Sequence, residues 1–150
     1  YGFSSNGDQI SVPNVDGPRR SLEMAIREAG MKPSDIDYIN AHATSTPVGD
    51  MNEAKAIDEV FGSHKPFVTS TKSMTGHEMW MAGASEVIYS MLMMHNDFIA
   101  PNINLTEKDE AAIPLNIPSK TIDKEFNVFL SNSFGFGGTN SSLIIKKYNY

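Results

Sequence analysis

Apolar residues recur along the chain with two periods, and the switches between them mark out its elements. Over residues 18 to 30, Leu22, Ala25, Ile26 and Ala29 line one helical face, with Pro18 suited to the first turn and Gly30 to the stop. IDYINAH, residues 36 to 42, is a short apolar run that predicts a buried strand delivering His42 at its C-terminal end. A second helix is predicted over 50 to 62, with Asp50 as N-cap, Glu53 completing a capping-box-like pair and Gly62 ending it. KPFVTSTK, 65 to 72, predicts another strand, which delivers Lys72. From about Gly76 to His95, Ala84, Val87, Ile88, Met91 and Leu92 are spaced for a third helix. Met81, Met93 and Met94 widen its apolar surface, so burial on more than one side is expected.

The first eighteen residues, rich in Gly, Ser, Asn and Pro, read as loop, and residues 96 to 118 as an irregular connection. FNVFLSNS (126 to 133) and NSSLIIKKY (140 to 148) predict two strands joined by the glycine-rich FGFGGT. So short a link makes that pair antiparallel, whereas the preceding alternation of strands and helices predicts α/β layers. The expected fold class is therefore α/β, with helices layered around a mixed β-sheet.

Composition narrows the partners. The 150 residues are 40% hydrophobic and 20% charged, which suits one domain with its own core. A formal net charge of −6 argues against nucleic acid or an anionic membrane as partner. No apolar run approaches the roughly 20 residues that span a bilayer, and the N-terminus lacks the basic-then-apolar pattern of a signal peptide. With no cysteine, disulfides and thiolate metal sites are excluded and a cytoplasmic location is expected. The chain also holds no cysteine nucleophile. It begins at Tyr1 without a methionine, as a processed or truncated product would.

Two histidines and a lysine, His42, His77 and Lys72, each fall where a strand gives way to a helix. Ligands of layered α/β folds gather at the carboxyl ends of strands, so these three are expected to converge on one cleft. There, neutral imidazoles can donate hydrogen bonds to a developing oxyanion, and Lys72 can set the local potential or orient a carboxylate. Either histidine taken singly fits a structural role equally. A metal site built from His42, His77 and Glu53 is the competing use; the spacing lacks two histidines one helical turn apart, and no metal is expected. His64 and His95 read as solvated. SFGFGGTN, 133 to 140, fits a hairpin turn whose glycines supply positive φ. It also fits a gate to a hydrophobic tunnel, with Phe134 and Phe136 as apolar plugs. HATSTP, 42 to 47, offers hydroxyls to an amide-bearing substrate, or forms a simple hydroxyl-stabilised turn.

Three longer segments carry a resemblance. NAHATSTPVGDMNEA, STKSMTGH and SNSFGFGGTN resemble, in order and spacing, the signature segments of the C-terminal half of the β-ketoacyl-acyl-carrier-protein synthases. These are the elongating condensing enzymes of type II fatty acid synthesis, with a thiolase-like fold, and the resemblance runs from Tyr1 to about Tyr148. It implies that His42 and His77 are the histidines of a Cys-His-His triad that promote decarboxylation of malonyl-carrier protein and stabilise the resulting enolate. It implies that Lys72 supports that site and that Glu53 belongs to the same network. Thr44 and Thr46 match threonines that hydrogen-bond the phosphopantetheine arm. Phe136 matches the gating phenylalanine whose backbone N–H helps form the oxyanion hole, and Met79 an acyl-pocket residue. No metal or dissociable cofactor is implied, because the pantetheine arrives on the acyl carrier protein that bears the acyl and malonyl thioesters. The other implied partners are an N-terminal half carrying the nucleophilic cysteine, which this chain lacks, and a second copy in a homodimer.

The chain departs from the family pattern at Ala43, where glycine is usual, and at Trp80 and Met81, where Gly-Ala is usual. The two bulky residues either narrow an acyl pocket or pack in the core or against the missing half. Two other readings stay open: a ketosynthase domain of a polyketide pathway, and a non-catalytic half that acts structurally or sets chain length. Retention of both histidines and Lys72 argues against the second.

Overall fold

The computed structural model describes residues 1–7 and 10–148. Its main sheet has five strands in the order β1-β7-β6-β2-β3. They span Gly2–Ser5 (β1), Tyr38–Asn40 (β2), Phe67–Thr69 (β3), Val128–Gly135 (β6) and Thr139–Lys146 (β7). β6, β2 and β3 run parallel, and β7 pairs antiparallel with both β6 and β1, so the sheet is mixed as expected. A small antiparallel pair, β4 (Phe98–Ile99) with β5 (Ile122–Asp123), lies within and just beyond the stretch expected to be irregular.

Alternation along the strands builds two cores. Ile39, Val68 and Leu130 face helices α1 (Asp16–Glu28) and α2 (Pro47–Phe61), where they meet Leu22, Ile26, Ile57 and Phe61. Tyr38 and Phe129 face the other way, against Met93 and Met94 of α4 (Ala82–His95), with Phe126 and Ile99. Helices thus cover both faces of the sheet.

Four expectations need correction. The N-terminal loop contains β1, which its composition concealed. This strand lies so close to α1 that a Cβ on Gly2 would sit 1.9 Å from the Ser21 carbonyl oxygen, so the approach requires glycine. α2 starts before Asp50: Thr46 is the capping residue and Pro47 takes the first turn, where its missing N–H costs nothing. Asp50 accepts the Thr46 N–H at 3.2 Å from inside the helix, and Glu53 has no capping role. His64 is half-buried, and its Nε2 hydrogen-bonds the Ile36 carbonyl oxygen at 3.0 Å; His95 is exposed, as expected.

The largest correction concerns the third helix. Instead of one helix from Gly76, there is a short α3 (Lys72–Thr75), a stop at Gly76 (φ 73°), a turn of 3-10 helix at Met79–Met81, and then α4. The stripe that seemed to be its buried face points outward, with Ile88 55%, Met91 47% and Leu92 54% exposed. The buried side is Ala82, Ser85, Glu86, Ser90, Met93 and Met94. The sheet surface beneath explains the choice, because beside its apolar part it carries a polar strip around Asn40 and Thr69. Asn40 donates from Nδ2 to the Ser90 hydroxyl (3.2 Å), and the Tyr38 and Thr69 hydroxyls share a bond of 2.8 Å. Placing Ile88 or Leu92 there would strip those groups of partners without replacement.

Replacing Leu130, fully buried in β6, by Ala should therefore cost about 2–5 kcal/mol in a urea titration. The pair Ile88→Gln and Leu92→Gln should shift stability by no more than about 0.5 kcal/mol each. It should also reduce binding of an apolar-surface dye to the 150-residue chain, an outcome opposite to that of a core-facing stripe.

Candidate active site

Because β2, β3 and β6 are parallel, their carboxyl ends share one edge of the sheet, and the chemistry collects there. His42 follows β2, Lys72 opens α3 just after β3, and Phe134 lies near the end of β6. His77 comes from the turn between α3 and α4. Its ring meets that of His42 edge-to-face, centroids 5.5 Å apart at 86°, and Phe134 lies 5.9 Å from His42 on another side.

The two imidazoles are held differently. The Met79 N–H donates to His77 Nδ1 at 3.2 Å, so the neutral ring carries its proton on Nε2 and presents a donor. Met79 takes φ 53°, a left-handed conformation unusual for a side-chain-bearing residue, to make that contact. His42 is half-buried and stays neutral: burial first, then the Lys72 cation and His77, push its pKa down to about 3. Its Nδ1 is buried with no hydrogen-bond partner among the described residues.

Two buried carboxylates support this edge. Glu53 projects from α2 beneath the loop after β2. Its Oε1 accepts the His42 N–H (2.9 Å) and the Asn132 side-chain amide (2.9 Å), and its Oε2 accepts the Ala43 N–H (2.8 Å). Burial raises its pKa, and these donors oppose the rise. With its oxygens engaged by N–H groups, Glu53 is not disposed as a metal ligand alongside the histidines. Glu86, on the sheet side of α4, forms a buried ion pair with Lys72, their side chains 2% and 5% exposed. Burial pushes the Glu86 carboxyl up, and the Lys72 cation opposes the shift.

The other expected residues surround this centre more loosely. Thr44 and Thr46 share a hydroxyl contact of 3.1 Å in the loop between β2 and α2, with Thr46 exposed. Ala43 sits at φ 20°, the border of the left-handed region. Phe136, on the turn after β6, is 83% exposed, and Met79 is largely exposed too. Trp80 is fully exposed and Met81 60% exposed, so neither packs in the core of this chain.

Two supporting residues escaped the sequence reading, Glu86 and Asn132. Glu86 did leave a signal: an acid one and two turns from Ser90, Met93 and Ala82 on an otherwise apolar helix needs a buried cation. Asn132 left none, because its partner is Glu53, distant in sequence.

Comparison with known proteins assigns the chain to a family. The family model for the C-terminal domain of beta-ketoacyl synthases matches residues 1–106, and the chain belongs to that family. It is 48% identical over 147 residues to 3-oxoacyl-[acyl-carrier-protein] synthase 1 of Escherichia coli K12, covering 98% of this chain and 36% of that protein. With the Haemophilus influenzae protein of the same name it shares 49% over 150 residues, covering 99% and 36%. Among solved structures, the ishigamide ketosynthase/chain length factor superposes with a TM-score of 0.94 at 35% identity, over 99% of this chain and 37% of that one. A beta-ketoacyl synthase from Burkholderia phymatum gives 0.92, also at 35% identity, over the same shares of the two chains. The thiolase-like fold is thereby established. The chain spans little more than a third of the length of these curated relatives.

Two measurements check the electrostatics. Unfolded histidine titrates near 6.5, and folded His42 only near 3. Between those values the unfolded chain binds a proton that the folded chain does not, so His42 makes stability fall as pH drops through that window. By NMR, the His42 ring should show no titration between pH 5 and 8. Lys72→Met should cost about 3–5 kcal/mol by stranding Glu86. Adding Glu86→Gln should recover a large part of that loss in the same denaturation assay.

Proposed function

We propose that the chain is the C-terminal part of a 3-oxoacyl-[acyl-carrier-protein] synthase of fatty acid biosynthesis, an acyltransferase that performs a decarboxylative Claisen condensation. The observation that carries this reading is the edge-to-face pair of His42 and His77, one kept neutral by burial and Lys72, the other fixed as an Nε2 donor. In the reaction, an acyl group is first transferred from its carrier to a cysteine outside this chain. The malonyl thioester then loses carbon dioxide, and the C–C bonding pair becomes the enolate of an acetyl thioester. His42 and His77 donate hydrogen bonds to the enolate oxygen as its charge grows. The enolate carbon attacks the acyl-cysteine carbonyl, and the tetrahedral intermediate collapses with expulsion of the cysteine thiolate, leaving a 3-oxoacyl thioester on the carrier.

Neutral imidazoles suit this role. A histidinium at either position would be drawn to the departing carboxylate and would stabilise the malonyl ground state, whereas neutral donors favour the oxygen that gains charge. Lys72 contributes by adding to the burial that keeps His42 neutral. Its own charge is matched by Glu86. The half-buried Thr44 and the exposed Thr46 lie beside this edge, where a pantetheine arm bearing amides would pass, and Phe136 stands at the rim as the gate. Acyl carrier protein is the proposed partner; the remaining half of the enzyme, with the cysteine, covers the outward face of α4, and the whole acts as a homodimer in the cytoplasm. No helix among the described residues is long and apolar enough to cross a membrane. The pantetheine is a substrate group, and no metal or separate cofactor takes part. A polyketide ketosynthase would use the same residues, but the fatty acid reading has the higher identities in its favour.

The test is malonyl-carrier protein decarboxylation by the protein expressed from its complete reading frame. His42→Ala and His77→Ala should each lower the rate on the order of 10²–10³-fold, as lost oxyanion donors do. The 150-residue chain by itself should form no 3-oxoacyl product, because it has no thiol to acylate. A histidine variant with near-normal decarboxylation would remove that residue from the mechanism.

A further inference from the structure

A file of buried polar side chains runs through the sheet and ends beneath His42. Ser21 of α1, Ser142 of β7 and Asn132 of β6 are each 0% exposed, and Glu53 of α2 is 3% exposed. The Ser21 and Ser142 hydroxyls lie 2.7 Å apart, Ser142 donates to Asn132 Oδ1 at 2.8 Å, and Asn132 donates from Nδ2 to Glu53 Oε1 at 2.9 Å. Glu53 then takes the backbone N–H groups of His42 and Ala43.

The direction of these bonds is set from one end. An ionised carboxylate only accepts, so Asn132 must turn its NH₂ toward Glu53 and its oxygen toward Ser142. Ser142 spends its one proton on that oxygen, so Ser21 must donate to Ser142. A packing role would not need this arrangement, since apolar side chains of the same volume fill a core without any polarity to match. The file matters for another reason. A catalytic imidazole is ordinarily aimed by a carboxylate or carbonyl bonded to its second nitrogen, yet His42 Nδ1 has no such partner among the described residues. The ring therefore takes its position from its backbone and from its contacts with His77 and Phe134. The backbone is held at both the His42 and Ala43 amides by Glu53.

We propose that Asn132 and Ser142 are positioning residues for His42, fixing the Glu53 carboxylate that holds the His42–Ala43 backbone and so aiming an imidazole whose ring lacks a carboxylate of its own. This rests on the condensing-enzyme reading for its catalytic consequence, but not for its structural one. The file ties α1, α2, β6 and β7 to one loop, so a change at Ser142 is felt at His42 without touching any residue of the cleft.

The test uses the protein expressed from its complete reading frame, with Asn132→Ala and Ser142→Ala, and two readouts. The first is the kcat and KM of malonyl-carrier protein decarboxylation; the second is the NMR signal of the His42 ring, with that of His64 as reference. For Asn132→Ala, kcat should fall on the order of tenfold, the worth of one hydrogen bond to a charged group, with KM unchanged. Ser142→Ala should give a smaller fall of the same kind. In both, the His42 signal should move and that of His64 should stay. Unchanged kcat and an unmoved His42 signal would overturn the proposal, as would a rise in KM at constant kcat. Should Asn132→Ala fail to fold, Ser142→Ala, which deletes a single hydroxyl, decides alone. Absence of decarboxylation in the unaltered protein would refute the enzyme reading instead, and the His42 signal would still decide whether this file positions the ring.

Discussion

The ion pair between Lys72 and Glu86 is nearly sealed from water, and a pair of charges so placed dictates much of what surrounds it. Neither charge can be left alone without a penalty of several kcal/mol, so α3 and α4 must keep a fixed relation to each other and to the sheet. That relation turns the Glu86 side of α4 inward, along with Ser85 and Ser90, and leaves Ile88, Met91 and Leu92 on the outside. It also fixes a cation close enough to His42 to help keep that ring neutral. One electrostatic contact thus fixes the orientation of a helix and adds to the burial that keeps an imidazole neutral.

Much of the architecture was legible because local and global signals agree. α1 shows a clean stripe at Leu22, Ala25 and Ile26, and all three are buried. The pair β6 and β7 was readable from two β-rich runs around a glycine-rich turn, where Gly137 and Gly138 do adopt positive φ. α4 was misread for a physical reason. Periodicity reports that a helix has an apolar side but not what lies opposite that side. Part of the sheet surface that α4 covers is made polar by Asn40, Thr69 and the Tyr38 hydroxyl, residues of two neighbouring strands well before α4 in the sequence. β1 was missed because its four residues have little apolar character; the pairing with β7 and the tight approach to α1 define it.

The candidate site divides the same way. His42 and Lys72 were visible as polar residues at strand-to-helix junctions, which parallel pairing brings together, whereas His77 reaches them from the turn between α3 and α4. The residues alone marked Glu53 as part of a helix cap, and only the family resemblance put it in the site network, because a carboxylate's partners in space cannot be counted along the chain. Its actual partners are two amides about ten residues earlier and a side chain on β6. Glu86 and Asn132 act through contacts that only the fold creates.

The order of the strands has a consequence for how the chain acquires this shape. β2 sits between β3 and β6, with Tyr38 opposite both Phe67 and Phe129. The first of those partners emerges from the ribosome soon after β2, and the second only much later. Until then the sheet lacks one side of its central parallel strand, and Ile39 and Tyr38 have no Leu130 or Phe129 beside them. Pairings of such long sequence separation form slowly, since a long loop must close before any contact rewards it. The unpaired side of β2 is therefore open while the residues between β3 and β6 are being made, and during that interval it is exposed to aggregation or to capture by a chaperone.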